Sequence, residues 1–256
     1  MTSVIEVRPD RSWLSSQVSE TVTLRLSNGS ERSVPWGFSW QFGTPAYWIE
    51  LTRERTPDQS NVASHRLADS LNEEIVACLL GGYGVSYELN VAAFEAVRAA
   101  GCIDGNLHDI EERLTAVLTA PMSMGERHVR YRYPYQRAGR VAAALRRLQS
   151  EVAPDDYDDV RRWLLTFSGI GPKTASWVVR NQYAHTNVAI IDIHVNRAAV
   201  KAGIFDPMWT PARDYWLMEE AFLQWARCGD VTSADLDAVI WREQAFAARS
   251  RTKIAR

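Results

Sequence analysis

Cysteine is scarce in this sequence. Three occur in 256 residues, Cys78, Cys102 and Cys228. They are odd in number and far apart, which excludes a disulfide framework and a clustered thiolate site. No stretch reaches the roughly twenty apolar residues that a membrane span needs. The first residues, MTSVIEVRPDRSW, carry charges where a signal peptide would be apolar. The expectation is a cytoplasmic protein with no membrane association. The chain also lacks internal repeats, low-complexity linkers and any large charge imbalance. Its 29 Lys and Arg against 31 Asp and Glu leave a net charge of −2, which gives no global sign of a polyanionic partner. What remains is a globular composition, 46% hydrophobic and 23% charged, of a length that suits one large domain or two packed lobes.

The small net charge conceals an uneven distribution. Between Arg127 and Arg147 there are seven arginines (127, 130, 132, 137, 140, 146 and 147) and no Asp or Glu, with Tyr131, Tyr133 and Tyr135 interleaved. Asp155, Asp156, Asp158 and Asp159 follow. A solvated helix face balanced by an acidic loop would give this pattern, and so would a phosphate-binding patch. Composition leaves both open.

Val22, Leu24 and Leu26 alternate with polar residues and lead into Asn28-Gly29, which predicts a β-hairpin in an N-terminal segment 1–43. From residue 44 to 256 the pattern is helical, punctuated by Gly and Pro. Ser70-Leu71-Asn72-Glu73 reads as a capping box opening a helix that stops near Gly81-Gly82. Further helices are expected over about 88–100, 136–148, 156–165, 173–182 and 193–202. In the 136–148 helix Val141, Ala144, Leu145 and Leu148 share a face.

The chemistry concentrates in Phe167-Ser-Gly-Ile-Gly-Pro-Lys173, an apolar helix end, a tight turn and the start of a second helix. Gly169 and Gly171 permit backbone angles that side chains would block, and they let amides approach an anion. Alone, such a turn is as often structural as functional. Lys173 alone would be an exposed first-turn lysine, and Asp192 alone would be the N-cap of the helix that follows it. An N-cap aspartate is nevertheless held rigidly by its helix, so capping and catalysis are compatible.

Taken together, Phe167-Ser-Gly-Ile-Gly-Pro-Lys173-Thr-Ala and the later Val188-Ala-Ile-Ile-Asp192-Ile-His194-Val resemble the signature of the helix-hairpin-helix DNA glycosylases. The nineteen positions from Lys173 to Asp192 are similar to the spacing in 8-oxoguanine glycosylases. The match is strongest over about 127–205. The resemblance implies a mainly α, two-lobed fold with a small β-hairpin element. In it the helix-hairpin-helix lies at about 157–182 and the catalytic Asp region at 188–203. It also implies a bifunctional glycosylase/AP lyase that acts as a monomer on double-stranded DNA and excises an oxidised purine, 8-oxoguanine being the leading candidate. Lys173 would be the nucleophile and Asp192 the carboxylate that stabilises positive charge on the sugar. Gly169, Gly171, His194 and Arg140 would contact the backbone. Tyr135, Gln136 and Arg137 would fill the gap left by an extruded base. Trp241 and Phe246 would help line the base pocket, although a core role is open for either.

The same resemblance implies no organic cofactor, and a monovalent cation held by hairpin carbonyls. Cys228 alone follows Asp192, so the four cysteines of the iron–sulfur branch are missing and no cluster is expected. Two other readings fit the residues. One keeps the fold and chemistry but removes a hypermodified phage base or an alkylated base. The other is a non-catalytic DNA-binding module.

Overall fold

The structure is a computed structural model that describes residues 20–55, 66–125, 127–183 and 186–254, the last with side chains to residue 245. The alternation at the start forms β1 (Thr21–Arg25) and β2 (Glu31–Pro35), paired antiparallel with Val22 opposite Val34. The predicted Asn-Gly turn closes this hairpin. Gly29 adopts a left-handed φ of 82°, and Asn28 Oδ1 accepts hydrogen bonds from the Ser30 amide and hydroxyl.

Ten helices follow among the described residues: α1 (Pro45–Arg55), α2 (Leu71–Leu80), α3 (Tyr87–Ala99), α4 (Ile110–Thr119), α5 (Pro134–Ser150), α6 (Tyr157–Leu164), α7 (Pro172–Gln182), α8 (Ile193–Lys201), α9 (Tyr215–Cys228) and α10 (Ser233–Ile254). None is long and apolar enough to cross a membrane. Local chemistry explains several of their starts. The Ser70 hydroxyl accepts from the Glu73 amide, Asp156 caps α6, and Asp192 caps α8.

One expectation needs correction. The region after residue 44 is not purely helical, because β3 (Met122–Met124) and β4 (Arg127–Val129) form a second antiparallel hairpin. Three-residue strands are too short for an alternation to register, and the left-handed Gly125 at the turn is their clearest trace in the sequence.

The buried side chains fall into two cores. The first is contiguous in sequence, from Ala68 through Val188, and joins α2 to α7. The second combines the two ends of the described chain: Leu24, Val34, Trp48 and Ile49 pack with Ala189, Ile191 and the inner faces of α8, α9 and α10. The chain therefore crosses between lobes at Val188-Ala189. The first hairpin also docks on α9 through polar contacts, its Arg25 and Ser27 amides donating to Gln224 Oε1 and Glu220 Oε2.

Buried polar contacts join the lobes around that crossing. Arg161 on α6 pairs with Glu219 on α9 at 2.6 Å, the two side chains 12% and 7% exposed, and Arg180 on α7 faces Asp237 on α10 at 3.6 Å. Burial pushes the Glu219 carboxyl above its ordinary range while the Arg161 guanidinium pulls it back. Ser176 on α7 bonds Arg161, and Tyr215 on α9 bonds Ser176. Such a group is fully stabilising only when each member keeps its partner.

Candidate active site

The hairpin between α6 and α7 is built as its glycines suggest. Gly169 has φ 85°, and a Cβ placed there would overlap the Arg140 side chain. Ile170, 5% exposed, plugs the angle beneath the turn. Gly171 is the N-cap of α7 with open space where a Cβ would be, and Pro172 occupies the first helical turn. Gly169→Ala is accordingly expected to lower stability by about 1–3 kcal/mol and to shift Arg140. Urea unfolding measures this, and an unchanged midpoint would mean that the turn accepts a side chain.

Lys173 lies on the first turn of α7, partly buried, its Nζ 5.2 Å from the centre of the Trp177 ring. Burial pushes its ammonium below the ordinary lysine range. The Asp192 carboxylate acts in the opposite sense, and the neighbouring Arg137 guanidinium adds to the lowering. Lys173 and Asp192 thus sense one another across the lobe boundary, one on the first core's last helix and the other at the mouth of the second.

Asp192 is fixed from two sides. Its Oδ1 accepts from the His194 and Val195 amides, both at 2.8 Å, while among the described residues Oδ2 has no hydrogen-bond partner. The extended segment leading to it is pinned residue by residue. Ser233 Oγ donates to the Val188 carbonyl, Ala189 N donates to Glu219 Oε1 at 3.0 Å, Tyr215 donates to the Ala189 carbonyl at 2.7 Å, and Ile190 N donates to Asp237 Oδ2. The same Glu219 reaches the lysine's helix through Ser176, whose hydroxyl donates to the Pro172 carbonyl next to Lys173. A carboxylate free at one oxygen and an amine lowered in basicity, both on rigid supports, form an arrangement suited to attack on an electrophilic carbon.

The other predicted residues divide. Tyr135, 71% exposed, and Gln136 project from the start of α5, while Arg140 lies against the hairpin at Gly169. His194 is half-buried on the first turn of α8. Arg137 does not join the outward set. It is 9% exposed, and its Nη1 donates 2.7 Å to the Leu79 carbonyl at the end of α2. Position 137 precedes Val141 by four and so shares the apolar face of α5, where the helix period outweighs the charge. Trp241 is half-buried, edge-on to Tyr87 at 5.6 Å. Phe246 lies on α10 with its side chain outside the described residues.

Three residues of the first lobe escaped the sequence reading. Trp177 stands four positions after Lys173 on the same helix face, a spacing that was available to use. Tyr83 is 82% exposed in the turn Gly81-Gly82-Tyr83-Gly84, which packs against Arg132. Asn90 is buried near Gly81 and carried no motif. At the hairpin itself Arg147 donates to the Thr166 carbonyl. With Arg140 it flanks the turn where the resemblance implies a monovalent cation.

Two helical lobes, one carrying a helix-hairpin-helix with a lysine at the start of its second helix and the other an N-cap aspartate, are the fold of the helix-hairpin-helix DNA glycosylases. Two crystal structures share this architecture. The 8-oxoguanine DNA glycosylase of Thermotoga maritima superposes with a TM-score of 0.52 at 21% identity, over 75% of this chain and 92% of that one. That of Methanocaldococcus jannaschii gives 0.50 at 20%, over 77% and 84%. No curated protein matches the sequence at a significant level. The chain belongs to the 8-oxoguanine DNA glycosylase family, whose sequence profile matches residues 52–230.

Proposed function

We propose that the protein is a bifunctional glycosylase/AP lyase that removes 8-oxoguanine from duplex DNA. The observation that carries this reading is the geometry of Lys173 on the first turn of α7 and Asp192 capping α8, its Oδ2 without a hydrogen-bond partner among the described residues. The deprotonated amine attacks C1′ of the extruded nucleotide as the N-glycosidic bond breaks, and the base departs after taking up a proton. Positive charge developing on the sugar is stabilised by the Asp192 carboxylate. Opening of the sugar ring leaves an imine between Lys173 and C1′. Loss of a C2′ proton then expels the 3′ phosphate by β-elimination.

DNA backbone is held by the open amides at the start of α7, by Arg140 and by His194. Tyr135 and Gln136 fill the space the base leaves. Borohydride reduction during reaction with 8-oxoguanine duplex is expected to yield a covalent protein–DNA adduct, and absence of adduct from active-site-intact protein defeats the lyase reading. Asp192→Asn is expected to lose about a hundredfold or more in excision rate while still binding abasic DNA, measured by gel shift.

A further inference from the structure

Between β2 and α1 the chain forms a loop, residues 36–44, that displays aromatic rings. Trp40 is 73% and Phe42 60% exposed, and Trp40 lies nearly parallel to the half-buried Phe38 with ring centres 5.3 Å apart. The loop is fixed by its own hydrogen bonds. The Gln41 amide donates to the Phe38 carbonyl, the Thr44 amide to the Gln41 carbonyl and the Ala46 amide to the Trp36 carbonyl. A loop held this firmly with two large rings in water marks a contact surface, since folding alone would cover them.

What borders the rings indicates the partner. Lys201, at the end of α8, stands with its Nζ 3.9 Å from the centre of the Phe42 ring, and a Cβ on Gly43 would lie 2.7 Å from its Cε. Gly43 thus makes room for the lysine. Arg197 precedes Lys201 by four positions and His194 precedes it by seven, so the three line one side of α8. Arg197 and Lys201 are exposed, and among the described residues none of the three side chains has a carboxylate partner. The row begins two positions after Asp192 and ends at the aromatic loop. At about 1.5 Å per residue it covers about 10 Å, roughly three nucleotides of one strand.

An apolar protein surface would leave these cations opposite nothing, whereas a nucleic-acid strand offers a phosphate to each of them and a ring face to the aromatics. Bases inside a duplex are already stacked on one another. The exposed rings therefore gain most from bases that are unpaired. We propose a second DNA site outside the lesion pocket, in which α8 guides the backbone from His194 past Arg197 to Lys201 and Trp40 with Phe42 stacks an unpaired nucleobase. This rests on the glycosylase reading. It adds a preference for lesions that lie about three or four nucleotides from a single-stranded stretch.

Affinity measured without chemistry tests this. Wild type, Trp40→Ala and Trp40→Phe are titrated by fluorescence anisotropy against DNAs that hold a tetrahydrofuran abasic analogue. One DNA is fully paired, and two others are unpaired from about the fourth nucleotide outward, on the 5′ or the 3′ side of the analogue. Wild type is expected to bind one of the unpaired designs at least about fivefold tighter than the paired one. That preference disappears in Trp40→Ala, whereas Trp40→Phe keeps most of it. Trp40 is chosen because Phe42 also packs on Tyr47 and Trp48, so that its loss could disturb the fold. Replacing Arg197 and Lys201 together by Gln is expected to weaken binding of the preferred DNA and to reduce the salt slope by about two. Equal binding of all three DNAs by wild type, a preference that survives Trp40→Ala, or an unchanged salt slope overturns the site and leaves the glycosylase reading intact. Failure of wild type to trap on abasic duplex overturns the lyase reading without altering the affinity ratio.

Discussion

Lys173→Gln is expected to abolish the borohydride-trapped adduct and to lower strand cleavage by at least about a thousandfold, since no other amine replaces the nucleophile. Single-turnover cleavage of abasic duplex is the direct measurement, and residual trapping above a few per cent of wild type would place the nucleophile elsewhere. The pH dependence follows from the same group. Only the neutral amine attacks, so the trapping rate rises with pH and levels off once the folded-state pKa is passed. Burial brings that plateau to lower pH than an ordinary lysine would allow.

The sign for stability is the reverse of the usual lysine case. With the folded pKa depressed, the unfolded chain binds the proton more tightly, so Lys173 penalises the fold at neutral pH. The penalty is relieved as pH rises toward the ordinary value of 10.5. Lys173→Gln is therefore expected to melt no lower than wild type although it is inactive.

Glu219→Ala is expected to have the largest effect on stability. It strands the Arg161 guanidinium in a buried position and leaves the Ala189 amide without its acceptor. Removing one member of such a pair costs about 3–5 kcal/mol, which in a chain of this size lowers the melting temperature by roughly 6–20 °C. Calorimetry tests this, and a shift under about 2 °C would mean that the pair holds nothing together. Glu219→Gln keeps the shape and one acceptor, so it is expected to fall between the two. The trapping rate on abasic DNA is expected to fall in the same order, because Glu219 touches both the segment that carries Asp192 and, through Ser176, the helix that carries Lys173.

The hairpin turn before Lys173 and the Asp192 cap were legible in the sequence because helix caps and glycine turns are local. Gly169 announces a left-handed backbone, and Asp192 stands directly before an apolar helix. The first hairpin was legible for the same reason, since Val22, Leu24 and Asn28-Gly29 need no knowledge of the rest of the chain. Arg137 was misplaced because charge was allowed to outweigh its position four residues before Val141. Asn90 was invisible, as its burial against Gly81 and Trp177 becomes apparent only when α3, the end of α2 and α7 converge. The pairing of Leu24 and Trp48 with α8 to α10 was equally hidden, because contacts between distant segments leave no local pattern.

That pairing dictates the order in which the molecule can mature during synthesis. Residues 68–188 supply one apolar core by themselves and can condense as they emerge, while Arg161 and Arg180 wait for Glu219 and Asp237. The first hairpin and α1, although made earliest, must wait with Leu24, Trp48 and Ile49 uncovered until α9 and α10 arrive. Asp192 gains its rigid support at that moment. A nascent chain therefore forms the helix that carries Lys173 before the segment that positions Asp192 is pinned.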